Sequence, residues 1–404
     1  MFLPLRDSPN PGGVPLVNYL LIALNVGVFL AVTLPMSGVP PDIADPAVQD
    51  YIRFLSEHVG RDIHPSEALA GVSTYEVFVY EHGFRPAHGS LQTLLSSMFL
   101  HGGFMHLAGN MLFLWIFGDN VEHRLGRVKY LAAYLLTGAA ATLFYSAFQM
   151  SSNVPLVGAS GAISGVLGFY FLFFPRNTVK VFFALFPFFM DVVTIPARIV
   201  LGAYLVLDNL LPVLFGGASG VAHGAHIGGF IAGLGAAWLI DWRELTATPS
   251  EYRTEPRRRE TPVHDGPGSR KRKRVDPNQG PTALIAQLIR QGKVADAAKV
   301  YFASTEDAGP EPAPEDALIL GRWLAENGHP TAALTVFRRV IKVVPLGANA
   351  AWAHIGAGLV QLEDLGRPTA AYQHFLDAID LDPSGEPARI ARAGLAEIDA
   401  QGTS

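Results

Sequence analysis

The chain has 404 residues, half of them hydrophobic and only 16% charged, a balance too apolar for an ordinary soluble protein of this size. Its formal net charge of −5 averages regions of different character and argues for no particular partner. Cysteine is absent, which excludes disulfides, thiol nucleophiles and thiolate zinc sites and leaves the redox compartment open.

The opening residues MFLPLRDSPNPGG lead into a long apolar run without a small-residue cleavage site, so the first hydrophobic stretch reads as a retained span. Crossing ~30 Å of hydrocarbon as a helix takes ~20 largely apolar residues, because lipid offers backbone N–H and C=O groups no partner. Six stretches meet that demand: 14–34, 91–117, 130–148, 158–174, 195–215 and 220–240. Residues 179–190 are apolar and aromatic but too few, and read as an interfacial or re-entrant helix leading into the fifth span. Basic residues fall in alternate loops: Arg6, then Arg124, Arg127 and Lys129, then Arg176 and Lys180, then a cluster after Asp241. The long loop 36–90 carries mostly acidic charge, so both termini are expected in the cytoplasm with this loop outside. The short N-terminus, without an organelle presequence, favours a multi-pass protein of a bacterial plasma (inner) membrane.

Residues 243–280 are polar, rich in Pro and Gly, and carry EPRRRE and SRKRKRV, which is expected to form a flexible basic linker. Beside a span, those clusters suit the anionic headgroups of the lipid bilayer better than nucleic acid. Beyond them the chain repeats itself. Gly292-Lys-Val-Ala-Asp-Ala, Gly328-His-Pro-Thr-Ala-Ala and Gly366-Arg-Pro-Thr-Ala-Ala are followed at matching offsets by Tyr301, Phe337 and Phe375. Pro310 (one place late), Pro345 and Pro383 then follow, giving a period of 36 to 38 residues. A glycine turn, small alanines, an aromatic knob and a terminating proline describe stacked helical hairpins, and the pattern resembles tetratricopeptide (TPR) repeats. The resemblance implies a concave face that binds a peptide or protein; the alternative is a domain that stabilises or dimerises the chain. Three domains follow: 1–242 in the membrane, the linker 243–280, and a soluble helical-repeat domain over 281–404.

Polar side chains within spans are costly, so each is a candidate for function. In the second span, His101-Gly-Gly-Phe-Met-His106-Leu-Ala-Gly-Asn110 puts His106 and Asn110 four residues apart on one helix face, both able to donate hydrogen bonds. The fourth span opens with Val157-Gly158-Ala159-Ser160-Gly161-Ala162-Ile163-Ser164-Gly165, where glycines permit close backbone approach to a serine at a helix end. Taken alone, Gly161 and Gly165 read equally well as helix packing. The sixth span opens with His223-Gly-Ala-His226, and its Gly229 and Gly233 allow it to press against the fourth. This topology sets Ser160 and His226 at similar depth, as a serine needing a neighbouring base requires. A metal site on His101, His106, His223 and His226 is the rival reading, but no carboxylate stands beside them to act as general base.

These motifs, with Gly118-Asp-Asn-Val-Glu122-His-Arg124-Leu-Gly126 in the following basic loop, resemble those of the rhomboid intramembrane serine proteases over residues 14–240. The resemblance implies an all-α, six-helix membrane bundle without cofactor or metal, in which Ser160 and His226 form a dyad lacking a carboxylate. His226 would take the Ser160 proton, and the Ser160 backbone N–H with His106 and Asn110 would hold the oxyanion. Gly158, His101 and His223 would support the site, and Glu122 and Arg124 would tie down the cytoplasmic side. Substrates would be transmembrane segments of other proteins, entering from lipid and unwinding locally. The glycine-rich segment 215–220 suits a mobile cap over the site. One departure stands out: some relatives place an aromatic ring four residues after the nucleophile, where this chain has Ser164. An inactive rhomboid-like adaptor that binds membrane proteins is the alternative, but such a protein would lack the serine or the histidine. A transporter is set aside, because no inverted repeat of broken helices is visible.

Overall fold

The computed structural model describes residues 2–11, 13–185, 189–215, 221–246, 249, 252, 280–303 and 311–402. The chain divides into two compact units, Met1–Leu239 and Ile240–Ser404. Both are mostly helical. Most of the linker 243–280, the segment 216–220 expected to cap the site, and Pro310 lie outside the described residues.

The first unit begins with a strand, β1 (Phe2–Ser8), and a long apolar helix, α1 (Leu16–Met36). Helices α2 (Pro46–Val59), α3 (Pro65–Ala68) and α4 (Thr74–His82) then fold the 36–90 loop around a small core of Val48, Ile52, Ala68 and Val77. A bent pair, α5 (Leu91–Phe99) and α6 (Phe104–Leu125), leads to α7 (Arg127–Phe148) and α8 (Ser160–Phe173). A hairpin of β2 (Thr178–Leu185) and β3 (Phe189–Pro196) connects to α9 (Ala197–Phe215) and α10 (His223–Thr246). Among the described residues α1, α7, α9 and α10 are long and apolar enough to cross a membrane, and the bent pair makes a fifth candidate. At 14 residues α8 is shorter than a bilayer is thick. It is wrapped by protein instead, with every residue from Ala162 to Tyr170 buried.

Three expectations are corrected. The all-α reading fails at 179–190, which is no interfacial helix: β2 pairs antiparallel with both β1 and β3 in a three-stranded sheet. The period of two along Val179, Lys180 and Val181, with both valines fully buried and the lysine exposed, is the pattern of a half-buried strand. The second span is not one straight helix over 91–117, because α5 and α6 meet at 88° around His101-Gly102-Gly103. The motif 118–126 is no loop either, since α6 runs on to Leu125 and ends at Gly126, whose φ of +80° favours glycine.

Charges in that motif are absorbed by packing. The buried Glu122 carboxylate accepts from the backbone N–H groups of Val17 (3.1 Å) and Asn18 (2.7 Å), capping the start of α1 where the helix dipole favours an anion. The Arg124 guanidinium lies 4.9 Å from the centre of the Phe173 ring. Asp7 of β1 is buried too, and its Oδ2 accepts from Asn120 Nδ2 at 2.7 Å and from the Tyr170 hydroxyl at 2.6 Å, pinning the sheet to α6 and α8.

The second unit holds helices α11 (Pro281–Arg290), α12 (Val294–Ala303), α13 (Pro314–Glu326), α14 (Pro330–Val343), α15 (Ala348–Leu359), α16 (Pro368–Leu381) and α17 (Glu386–Gly402). Gly292, Gly328 and Gly366 stand at the turns α11/α12, α13/α14 and α15/α16 with φ of +71°, +80° and +60°. Two of the aromatic knobs, Phe337 and Phe375, fill sockets lined by glycine: Cβ atoms added at Gly321 or Gly356 would lie 2.6 or 2.4 Å from the Phe337 ring. Cβ atoms at Gly358 or Gly394 would meet Phe375 as closely.

Candidate active site

Glycines decide how α8 meets its neighbours. A Cβ added to Gly229 of α10 would lie 2.1 Å from the Gly161 carbonyl oxygen of α8, and one added to Gly233 would lie 2.0 Å from the Gly165 carbonyl. On the opposite flank a Cβ at Gly165 would meet Thr137 Oγ1 of α7 at 2.1 Å. The helix backbones therefore touch directly, as small residues spaced by four allow. That contact fixes the heads of α8 and α10 side by side.

At those heads Ser160, the first residue of α8, and His226, in the first turn of α10, are joined by a hydrogen bond of 2.7 Å between Ser160 Oγ and His226 Nε2. The other ring nitrogen, Nδ1, is 2.6 Å from Asn209 Oδ1. Asn209 Nδ2 donates to the Tyr204 carbonyl at 2.9 Å, so the amide oxygen is the atom left facing the ring. An acceptor at Nδ1 places the imidazole proton there and leaves the Nε2 lone pair for the serine hydroxyl.

His106 also lies close to the serine, across Gly158. A Cβ on Gly158 would be 2.8 Å from its Nε2 and 3.5 Å from Ser160 Oγ, and with φ at +126° this position favours glycine for its backbone as well. His106 Nδ1 accepts from the Gly102 N–H at 3.4 Å, so Nε2 carries the proton toward Gly158 and Ser160. Asn110, one turn further along α6, is buried, and its Nδ2 has no hydrogen-bond partner among the described residues. A buried donor without an acceptor is costly in a resting site and useful where an oxyanion is to form.

The remaining expected residues frame this group. His101 is fully buried with its ring edge-on to His106 at 5.2 Å, and its carbonyl accepts from the Tyr75 hydroxyl at 2.7 Å. That bond clamps the α5/α6 bend to the 36–90 segment. The His223 ring lies 6.3 Å from His226, at 85° to it. A cavity of ≈ 30 Å³ beside Ser160 is lined by small residues including Gly158, Gly161, Ala222 and Ala225. Among the described residues no three His, Cys, Asp or Glu side chains converge as metal ligands would.

Two residues here escaped the sequence reading, Asn209 and Tyr204, both on α9. The Tyr204 ring lies 6.3 Å from the His226 ring at an interplanar angle of 28°, and its hydroxyl is 3.1 Å from Ser164 Oγ. Where Ser164 leaves room, α9 supplies the aromatic neighbour. Asn209 had a signal available, because a polar residue inside an apolar span is a candidate by default.

Residues 88–243 match the family model for the rhomboid domain. The chain is 30% identical over 227 residues to RHOMBOID-like protein 4 of Arabidopsis thaliana, covering 54% of this chain and 51% of that one. It is 30% identical over 159 residues to Rhomboid protein 1, mitochondrial, of Saccharomyces cerevisiae (37% and 41%). It is 33% identical over 155 residues to Rhomboid protease GluP of Bacillus subtilis (37% and 26%). The chain thus spans about half or less of the length of these relatives, which come from a plant, yeast mitochondria and a bacterium and single out no compartment. Residues 88–243 therefore carry a rhomboid domain, and the chain is similar to rhomboid proteins over this part.

Proposed function

We propose that the protein is an intramembrane serine endopeptidase that cleaves transmembrane segments of other membrane proteins, with Ser160 as nucleophile and His226 as general base. The observation that carries this reading is the 2.7 Å bond from Ser160 Oγ to an imidazole nitrogen whose lone pair faces it. In the reaction Nε2 of His226 accepts the hydroxyl proton as Oγ attacks the peptide carbonyl, forming a tetrahedral oxyanion. His106 Nε2–H, Asn110 Nδ2–H and the Ser160 backbone N–H at the head of α8 stabilise that charge. His226 then gives its proton to the leaving amine. Water, activated by the same imidazole, hydrolyses the acyl-enzyme and restores the serine. The narrow cavity beside Ser160 suits a substrate residue with a small side chain next to the cut bond.

Six spans, with α8 and the bent α5/α6 pair among them, put both termini on the cytoplasmic side by the distribution of basic residues. In the tail, which we read as TPR-like, the glycine turns and aromatic sockets recur at the repeat period. Its cavity of ≈ 700 Å³, lined by Ile319, Trp352 and Leu359 and by Glu315, Glu326 and Glu363, suits a peptide with apolar anchors and basic residues. The test is cleavage of model transmembrane substrates by purified protein in detergent. Wild type should cut with or without a chelator, while Ser160→Ala and His226→Ala should not. Failure of wild type on every substrate would favour the inactive adaptor.

A further inference from the structure

A serine and a histidine at hydrogen-bond distance make a weak catalyst unless the imidazole is held in one tautomer and one rotation. In this site the holding group comes from α9. Five residues of that helix, Val206–Leu210, form a π-helical turn, and such turns recur at functional sites because the extra residue re-aims the side chains after it. Asn209 stands in this turn with 1% of its surface exposed. Its amide is fixed at both ends, Nδ2 on the Tyr204 carbonyl at 2.9 Å and Oδ1 on His226 Nδ1 at 2.6 Å. The Tyr204 hydroxyl is in turn held near Ser164 Oγ at 3.1 Å, which ties α9 to α8 one turn below the nucleophile.

We infer that Asn209 is the third member of the catalytic group, a positioning residue that keeps His226 protonated at Nδ1 with Nε2 turned to Ser160. This assignment rests on the serine-protease reading above. An amide suits the place better than a carboxylate would: it accepts the same N–H hydrogen bond without burying a charge at membrane depth. It also stabilises the imidazolium formed during attack, since the hydrogen bond from Nδ1–H to the amide oxygen strengthens as the ring becomes charged. The arrangement links the base to α9, so the helix that borders the site also sets its chemistry.

The test compares Asn209→Leu and Asn209→Asp with wild type, as full-length protein in detergent, for kcat and KM on a transmembrane substrate. It adds the rate at which a fluorophosphonate labels Ser160 and the thermal unfolding temperature. The leucine is close in size but accepts no hydrogen bond, whereas the aspartate keeps the acceptor. A positioning role predicts that Asn209→Leu lowers kcat and the labelling rate together by roughly ten- to a hundredfold, leaves KM and the unfolding temperature near wild type, and that Asn209→Asp retains more activity than Asn209→Leu. If Asn209→Leu is as active as wild type, or if Asn209→Asp is the worse of the two, the residue only packs and the inference is overturned. Wild type that neither cleaves nor labels would instead bring down the protease reading itself.

Discussion

Replacing Gly229 with alanine should separate the two halves of the site by a calculable amount. The new Cβ would start 2.1 Å from the Gly161 carbonyl oxygen, whereas carbon and oxygen seldom approach closer than roughly 3.3 Å. Neither atom belongs to a flexible side chain, so α8 and α10 must part by about 1 Å at this level, the difference between those two distances. Gly161 follows Ser160 directly, and Gly229 lies three residues after His226. The 2.7 Å bond between Oγ and Nε2 would then open beyond hydrogen-bond reach. A misplacement of about 1 Å costs roughly a hundredfold in rate, and the strain should lower stability by about 1–3 kcal/mol. Gly235→Ala is the control, because a Cβ there meets nothing within 4 Å. Both variants would be assayed for cleavage in detergent and for thermal unfolding. Gly229→Ala with a wild-type rate would refute the claim that direct backbone contact sets the site.

Other perturbations separate the remaining roles. Asn110→Ala should cut kcat by about a hundred- to a thousandfold without lowering the unfolding temperature, since its Nδ2 has no partner among the described residues to lose. Glu122→Ala should destabilise the membrane unit by about 2–4 kcal/mol in thermal unfolding, because two N–H groups at the start of α1 lose a charged acceptor. Burial, and then the neighbouring Asp119 carboxylate, hold the Asp7 carboxyl well above the usual carboxylate range. The folded state therefore binds this proton more tightly than the unfolded chain. The stabilisation is present below the unfolded value and lost as pH rises through the folded one, so stability should climb as pH is lowered from alkaline values. Asp7→Asn should flatten that profile. In the tail, Phe375→Ala would empty a fully buried socket between Gly358 and Gly394 and should cost about 3–5 kcal/mol, read as an earlier unfolding transition of the second unit.

What could be read from residues alone follows from which forces act locally. Long apolar runs and the clusters around His106, Ser160 and His226 announce themselves, because a polar or glycine-rich patch inside a span needs a reason. The sheet did not, since the Val179–Lys180–Val181 alternation is brief and set among aromatic residues that suit an interfacial helix equally well. Asp119, Glu122 and Arg124 resemble a loop by charge, yet Glu122 caps α1 more than a hundred residues earlier in the chain, a pairing that no local rule exposes. The bend at Gly102-Gly103 carried its own signal in the paired glycines. Asn209 reaches His226 only because a π turn and the packing of α9 on α8 and α10 aim it there, and spacing along the chain says nothing of that.

Ser160 as nucleophile is tested by treating the purified protein in detergent with a fluorophosphonate and finding the adduct by mass spectrometry. One phosphonylated residue is expected, Ser160, with labelling abolished in His226→Ala and cleavage lost in step. A wild-type protein that cleaves substrate while Ser160 stays unmodified, or that is labelled equally well without His226, would contradict it.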